Sequence, residues 1–177
     1  MSKALLVSGV FILIALVGYI LTSNKRNESD SSPQQEITLQ QVKTAPSQTQ
    51  AVDHQASFAI FTNGTFRPFT ASKYHNLSPD AYIESSNPNI VKVKKTGITW
   101  GDFFQTLPFS LTDDCLTTGT RETFCTGSKG TLKFYLNGVQ QEKILGQEIQ
   151  NNDQLLVTFG NEFETVIKEQ FDQIPNP

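Results

Sequence analysis

The stretch Thr96–Pro108, TGITWGDFFQTLP, decides the fold class. Thr99 stands where a helix N-cap belongs, Asp102 three residues later completes a capping box, and Pro108 stops the run. Trp100, Phe103, Phe104 and Leu107 fall at i, i+3, i+4 and i+7, so one aromatic face must be buried against a sheet. Core packing is expected for Trp100, with stacking on a ligand as the alternative.

Strand signals flank this helix on both sides. Upstream, FAIFTNGTFRPF alternates Phe58, Ile60 and Thr62 before Asn63-Gly64. Asn-Gly is the strongest short hairpin cue, because both central residues of a type I′ turn need positive φ. The device recurs downstream in LKFYLNGVQQEKIL, where Leu132, Phe134 and Leu136 precede Asn137-Gly138. Between the first hairpin and the helix lie AYIES (Ala81–Ser85) and NIVKVKK (Asn89–Lys95), read as strands, the second at an edge or half exposed. In it Lys92 and Lys94 share one side of the strand. They form either a small anion-binding patch or the charged protection of a sheet edge. QLLVTFG (Gln154–Gly160) reads as a central strand. After it, Asn161 is positioned to cap a last helix with the apolar stripe Phe163, Val166, Ile167, Phe171 and Ile174. Docking of that stripe on its own domain is expected, with a protein interface or membrane contact as the alternative.

The order of elements predicts an α+β fold. The expected form is a small β-grasp-like sheet with one crossing helix and a C-terminal helix; a small antiparallel β-barrel is the alternative.

The composition of the N-terminal third is different. Ala4–Thr22 (ALLVSGVFILIALVGYILT) carries no charge, and at ~1.5 Å per residue it spans about 28 Å, near the thickness of a hydrocarbon core. Bulky Tyr19, Ile20 and Leu21 occupy the place where a cleaved signal ends in small residues, so residues 1–22 read as an uncleaved transmembrane anchor. Ser23–Gln55 is rich in Gln, Ser, Thr and Asn, too poor in apolar side chains to offset the entropy of ordering. It reads as a disordered linker with a reach of about 32 Å. All but one of the 13 Phe, all but one of the 4 Tyr and the single Trp follow it, so residues 56–160 are expected to hold the globular domain and 161–177 the C-terminal helix and tail.

Cys115 and Cys125, in DDCLTTGTRETFC, are spaced too widely for the Cys-x-x-Cys of catalytic dithiols. In a chain with an export-type anchor they read as one structural disulfide, and this agrees with an extracytoplasmic domain.

Several function classes lack support. A net charge of -3 and a pI near 5.4 offer no cationic field for nucleic acid. Of the 2 His, His54 falls in the linker stretch and His75 in a loop, leaving no base for a nucleophile such as Ser128. Asp80, Asp102, Asp113 and Asp114 are too scattered for a calcium loop. No catalytic residue, metal ligand or cofactor is assigned.

Taken as a set, TGITWGDFFQTL, the spaced Cys pair, GTLKFYLNG and NNDQLLVTFG resemble a poorly characterised family of single-anchor prokaryotic membrane proteins, over roughly Phe58 to Gly160. The resemblance implies no established activity, although some relatives carry a disulfide-isomerase label. Relatives often place His-x-His in the strand before the helix, which implies a metal site. Here those positions are Lys92 and Lys94, with Glu84 where another His can occur.

The expectation is therefore a single-pass membrane protein whose extracytoplasmic domain binds a protein or envelope partner. Lys92, Lys94 and Trp100 are its candidate surface. The alternatives are an envelope thiol-disulfide oxidoreductase using Cys115 and Cys125, and a metal-binding domain whose ligand histidines are replaced.

Overall fold

Strand β1, Ala51–Thr62, is the spine of the domain in a computed structural model that describes residues 49–177. The expected anchor, Ala4–Thr22, and the tether as far as Gln48 lie outside the described residues. Among those described, no helix is long and apolar enough to cross a membrane. The end of the expected tether needs correcting: Ala51–Gln55, His54 included, is strand and pairs with Lys92–Lys95. Polar side chains concealed it, because a ladder satisfies backbone groups whatever the side chains are.

The chain then forms β2 (Thr65–Phe66), β3 (Ala81–Glu84), β4 (Asn87–Lys95), helix α1 (Trp100–Thr106), β5 (Ser110–Leu111), β6 (Cys115–Thr117) and β7 (Thr123–Cys125). It continues through β8 (Thr131–Leu136), β9 (Val139–Gln141), β10 (Gln154–Gly160) and helix α2 (Glu164–Phe171), with 3₁₀ turns at Ser72–Tyr74 and Ile144–Gly146. The main sheet runs β3-β4-β1-β10-β8-β9, with β2 hooked onto the end of β1. A smaller sheet runs β5-β6-β7. This is a mixed α+β fold dominated by its sheet.

At its centre β1 and β10 run parallel, while their outer neighbours β4 and β8 are antiparallel to them. The main sheet is therefore open, with β3 and β9 at its edges, and differs from the barrel alternative.

Both Asn-Gly turns are formed, with φ of 50° and 74° at Asn63 and Gly64 and of 53° and 81° at Asn137 and Gly138. The first hairpin is short, because Pro68 has no N–H with which to extend β2. The long partners of β1 are consequently β4 and β10. β4 lies inside the sheet, not at its edge, because β3 adds outside it.

Alternation along the strands divides the core in two. On one face Phe58, Ile60, Val91, Val93, Leu155, Val157 and Phe134 pack with α1, whose Trp100, Phe103, Phe104 and Leu107 are all buried. Gly101 lets α1 seat on the Ile144–Gly146 turn: a Cβ there would stand 2.7 Å from the Leu145 carbonyl oxygen. On the other face Ile167, Phe171 and Ile174 of the α2 segment cover Ala59, Phe61, Tyr135 and Leu156, so the stripe docks on its own domain.

The expected Asn161 cap is not used. The N-cap is Phe163, with no side-chain hydrogen bond, and Phe163 itself is exposed. Residues 161 and 162 are spent in leaving the sheet, where the Lys133 ammonium contacts the Glu162 carbonyl oxygen at 3.5 Å.

The capping box of α1 is complete. Thr99 Oγ1 accepts from the Asp102 amide at 3.1 Å, and Asp102 Oδ2 accepts from the Thr99 amide at 2.9 Å. Thr99→Ala is expected to lower the unfolding free energy by ~1 kcal/mol, read as a lower urea midpoint at unchanged slope.

Candidate functional site

Lys92, Lys94 and Trp100 do not make one surface. Trp100 is 0 % exposed and stacks on Phe104, which removes it from the candidate surface and assigns it to the core. Lys92 and Lys94 lie on the opposite face of the sheet, in alternation with buried Val91 and Val93. Their charges are taken up by neighbouring strands: Lys92 pairs with Glu84 of β3 at 2.8 Å, and Lys94 with Asp53 of β1. The hydrogen bonds to Glu84 and Asp53 raise both lysines above their ordinary 10.5, and the bond to Lys94 lowers Asp53 below its ordinary 3.8. These groups are half-exposed or exposed, so the pairs add little to stability.

Cys115 and Cys125 are directly opposed on β6 and β7, joined by a disulfide with Cα atoms 4.1 Å apart. The Cys115 amide and carbonyl both turn to Thr112, which marks the closely spaced, non-hydrogen-bonded kind of antiparallel pair. Such a pair sits in a hairpin and lacks the helix N-terminus that lowers a catalytic thiol's pKa. Among the described residues no three His, Cys, Asp or Glu side chains come together as metal ligands.

A concave feature with an aromatic lining lies elsewhere, where three loops, β2–β3, α1–β5 and β6–β7, meet. Its cavity of about 190 Å³ has Ile60 of β1 and Leu116 of β6 in its floor. Phe69, Tyr74 and Phe109 form aromatic walls, with the Phe69 and Tyr74 rings edge-to-face at 5.0 Å and Phe69 and Phe109 at 5.8 Å. The hairpin that the disulfide closes supplies the remaining side through Thr118, Gly119 and Thr120.

Two cations stand at the rim. Arg67 is fixed from three directions: Nε donates to Thr62 Oγ1 at 2.6 Å, the guanidinium lies 5.3 Å from the Phe124 ring centroid, and one amino group is 3.5 Å from Glu122. Lys73 places its ammonium 5.0 Å from the Tyr74 ring centroid, and among the described residues no carboxylate pairs with it. The segment carrying Lys73 and Tyr74 is held by His75, whose Nε2 donates to the Phe69 carbonyl at 2.9 Å.

Gly119 keeps the rim open. Its backbone does not demand glycine, but a Cβ would stand 3.0 Å from the Pro108 carbonyl oxygen, 3.4 Å from Lys73 Nζ and 3.8 Å from the Tyr74 hydroxyl oxygen.

Sequence reading missed Arg67, Phe69, Lys73 and Tyr74. Their only local signal is the interleaving of cations with aromatics in Phe66-Arg67-Pro68-Phe69 and Lys73-Tyr74.

No protein-family model, curated protein or solved structure matches this chain.

One titration on the opposite face is informative. Burial, with Glu164 adding to it, pushes the Tyr135 hydroxyl above its ordinary 10.0. A group raised in the folded state contributes stability that is complete below its unfolded pKa and is lost as pH rises through the folded one. Tyr135, Lys92 and Lys94 all have this sign, so stability is expected to fall above about pH 10, read from urea midpoints across pH. Tyr135→Phe should remove part of that fall. Asp53 has the opposite sign: its contribution is present above its ordinary value and is lost as pH drops through the lowered one.

Proposed function

We propose that this chain is a membrane-tethered binding module, anchored by its N-terminal apolar segment, with the globular part on the extracytoplasmic side. The observation that carries the reading is the aromatic pocket with Arg67 and Lys73 at its rim. It is concave and apolar with a few convergent polar groups, the usual character of a binding site. Its lining contains no carboxylate, imidazole or thiol, which favours binding over catalysis. The bridged pair Cys115–Cys125 supports placement in an oxidising compartment.

A β-grasp-like sheet with one crossing helix fits the same arrangement. Its support is the parallel pairing of β1 with β10, antiparallel arms on each side, and a helix lying between the second and third long strands. The disulfide's part in this reading is structural, as the closure of one pocket wall.

Protease added to intact cells tests the placement, and cleavage of the globular part is expected. A domain protected until the membrane is permeabilised overturns it. Crosslinking on intact membranes followed by capture of the chain then tests for an envelope partner.

A further inference from the structure

We infer that the pocket between Arg67 and Lys73 binds a small aromatic carboxylate. This rests on reading the pocket as a binding site and adds the chemistry of its ligand.

The size argument comes first. A cavity of about 190 Å³ is smaller than the ~300–1,000 Å³ of drug-sized sites and has the volume of only about six waters. It accommodates one ring with a short substituent. The walls choose an aromatic ring: Phe69, Tyr74 and Phe109 present π-surfaces at edge-to-face and tilted angles, and an inserted ring extends that packing.

Charge supplies the second half. In a protein of net charge -3, two cations flank one mouth. Arg67 is pre-organised by Thr62 and Phe124, so binding an anion costs it little side-chain entropy. The carboxylate now nearest to it is Glu122, an exposed side chain at 3.5 Å that an incoming carboxylate can displace. Lys73 carries the second charge, and the Tyr74 hydroxyl, without a partner among the described residues, is a neutral donor beside it. A glycine at 119 leaves the space between these groups clear.

The test uses the full chain in lipid nanodiscs, with empty nanodiscs as the blank, titrated with phenylacetate and with phenylacetamide by calorimetry and ligand-observed NMR. Phenylacetate is expected to bind saturably and more weakly at high salt, which screens the rim charges. Lys73→Gln should weaken binding about fivefold, the worth of one rim charge in water. Glu122→Gln should tighten it, because the competing carboxylate is gone. Both side chains are exposed, and misfolding cannot produce a gain in affinity. Gly119→Val should block binding while the thermal midpoint shows a folded domain.

Equal affinity for phenylacetamide, or indifference to Lys73→Gln and Glu122→Gln together, overturns the carboxylate assignment and leaves a pocket of other specificity. No saturable binding of either probe overturns the pocket itself. The protease experiment reports on placement independently of both.

Discussion

Phe58→Ala is expected to lower the unfolding free energy by ~3–5 kcal/mol, a large share of the ~5–15 kcal/mol that holds a domain together. Phe58 is 0 % exposed and sits at the meeting point of β1, α1 and the pocket wall. Its ring makes edge-to-face contacts with Phe69 at 4.9 Å, Phe103 at 5.5 Å and Phe104 at 5.6 Å. Truncation leaves a void bounded by three rings fixed from other directions, so the site collapses poorly and the cost lies toward the upper end of that range. Urea unfolding followed by far-UV circular dichroism measures it. A loss under 1 kcal/mol would show that the cluster rearranges freely, against the packing described above. Phe69 also walls the pocket, so this substitution should loosen the pocket as well as the core.

Replacing Cys115 and Cys125 together by serine is expected to remove ~2–4 kcal/mol while leaving the main sheet folded. The bridge closes a loop with a sequence separation of 10, and the chain-entropy estimate for so short a loop is ~3 kcal/mol. The damage should be local. β5, β6 and β7 are only two or three residues each, and so small a sheet is marginal without a staple. Leu116 is its main tie to the core, with Phe124 packing on Phe159 at 5.4 Å. Hydrogen exchange should therefore quicken first in 112–126, with β1 and β10 protected until global unfolding. Alkylation and mass spectrometry of unreduced protein complete the test: two freely alkylated cysteines in protein taken from the envelope would refute the bridge in its native setting.

The parts of this fold legible in the sequence are those decided within a few residues. Thr99 and Asp102 announce a helix start because a capping box is a local exchange of hydrogen bonds, and Asn63-Gly64 and Asn137-Gly138 announce turns because positive φ is a property of those residues. Partner choice is not local. Nothing around Phe58 says that β1 runs parallel to Gln154–Gly160 and antiparallel to Asn87–Lys95, and Ala51–Gln55, with Asp53, His54 and Gln55 in a row, looks like linker because its strand partner contributes backbone bonds.

The pocket was hidden for the same reason. Ile60, the Arg67–Tyr74 loop, Phe109 and Gly119 are distant in the chain, and only the packing of the sheets brings them to one pocket. Trp100 was legible in part: its place in the apolar stripe of α1 pointed to the core, where it is buried, and only its grouping with Lys92 and Lys94 as surface fails.

The placement of β1 has a mechanical consequence. The chain enters the described domain at Ala51, directly into a strand whose first half pairs with β4 and whose second half, from Ser57 on, pairs with β10. A pull on that entry point along the strand axis loads the β4 row in shear and, behind it along the same strand, the β10 row, instead of peeling one pair at a time. Rupture then requires many bonds to fail together, so tension delivered from the N-terminal side meets the stiffest direction the sheet possesses.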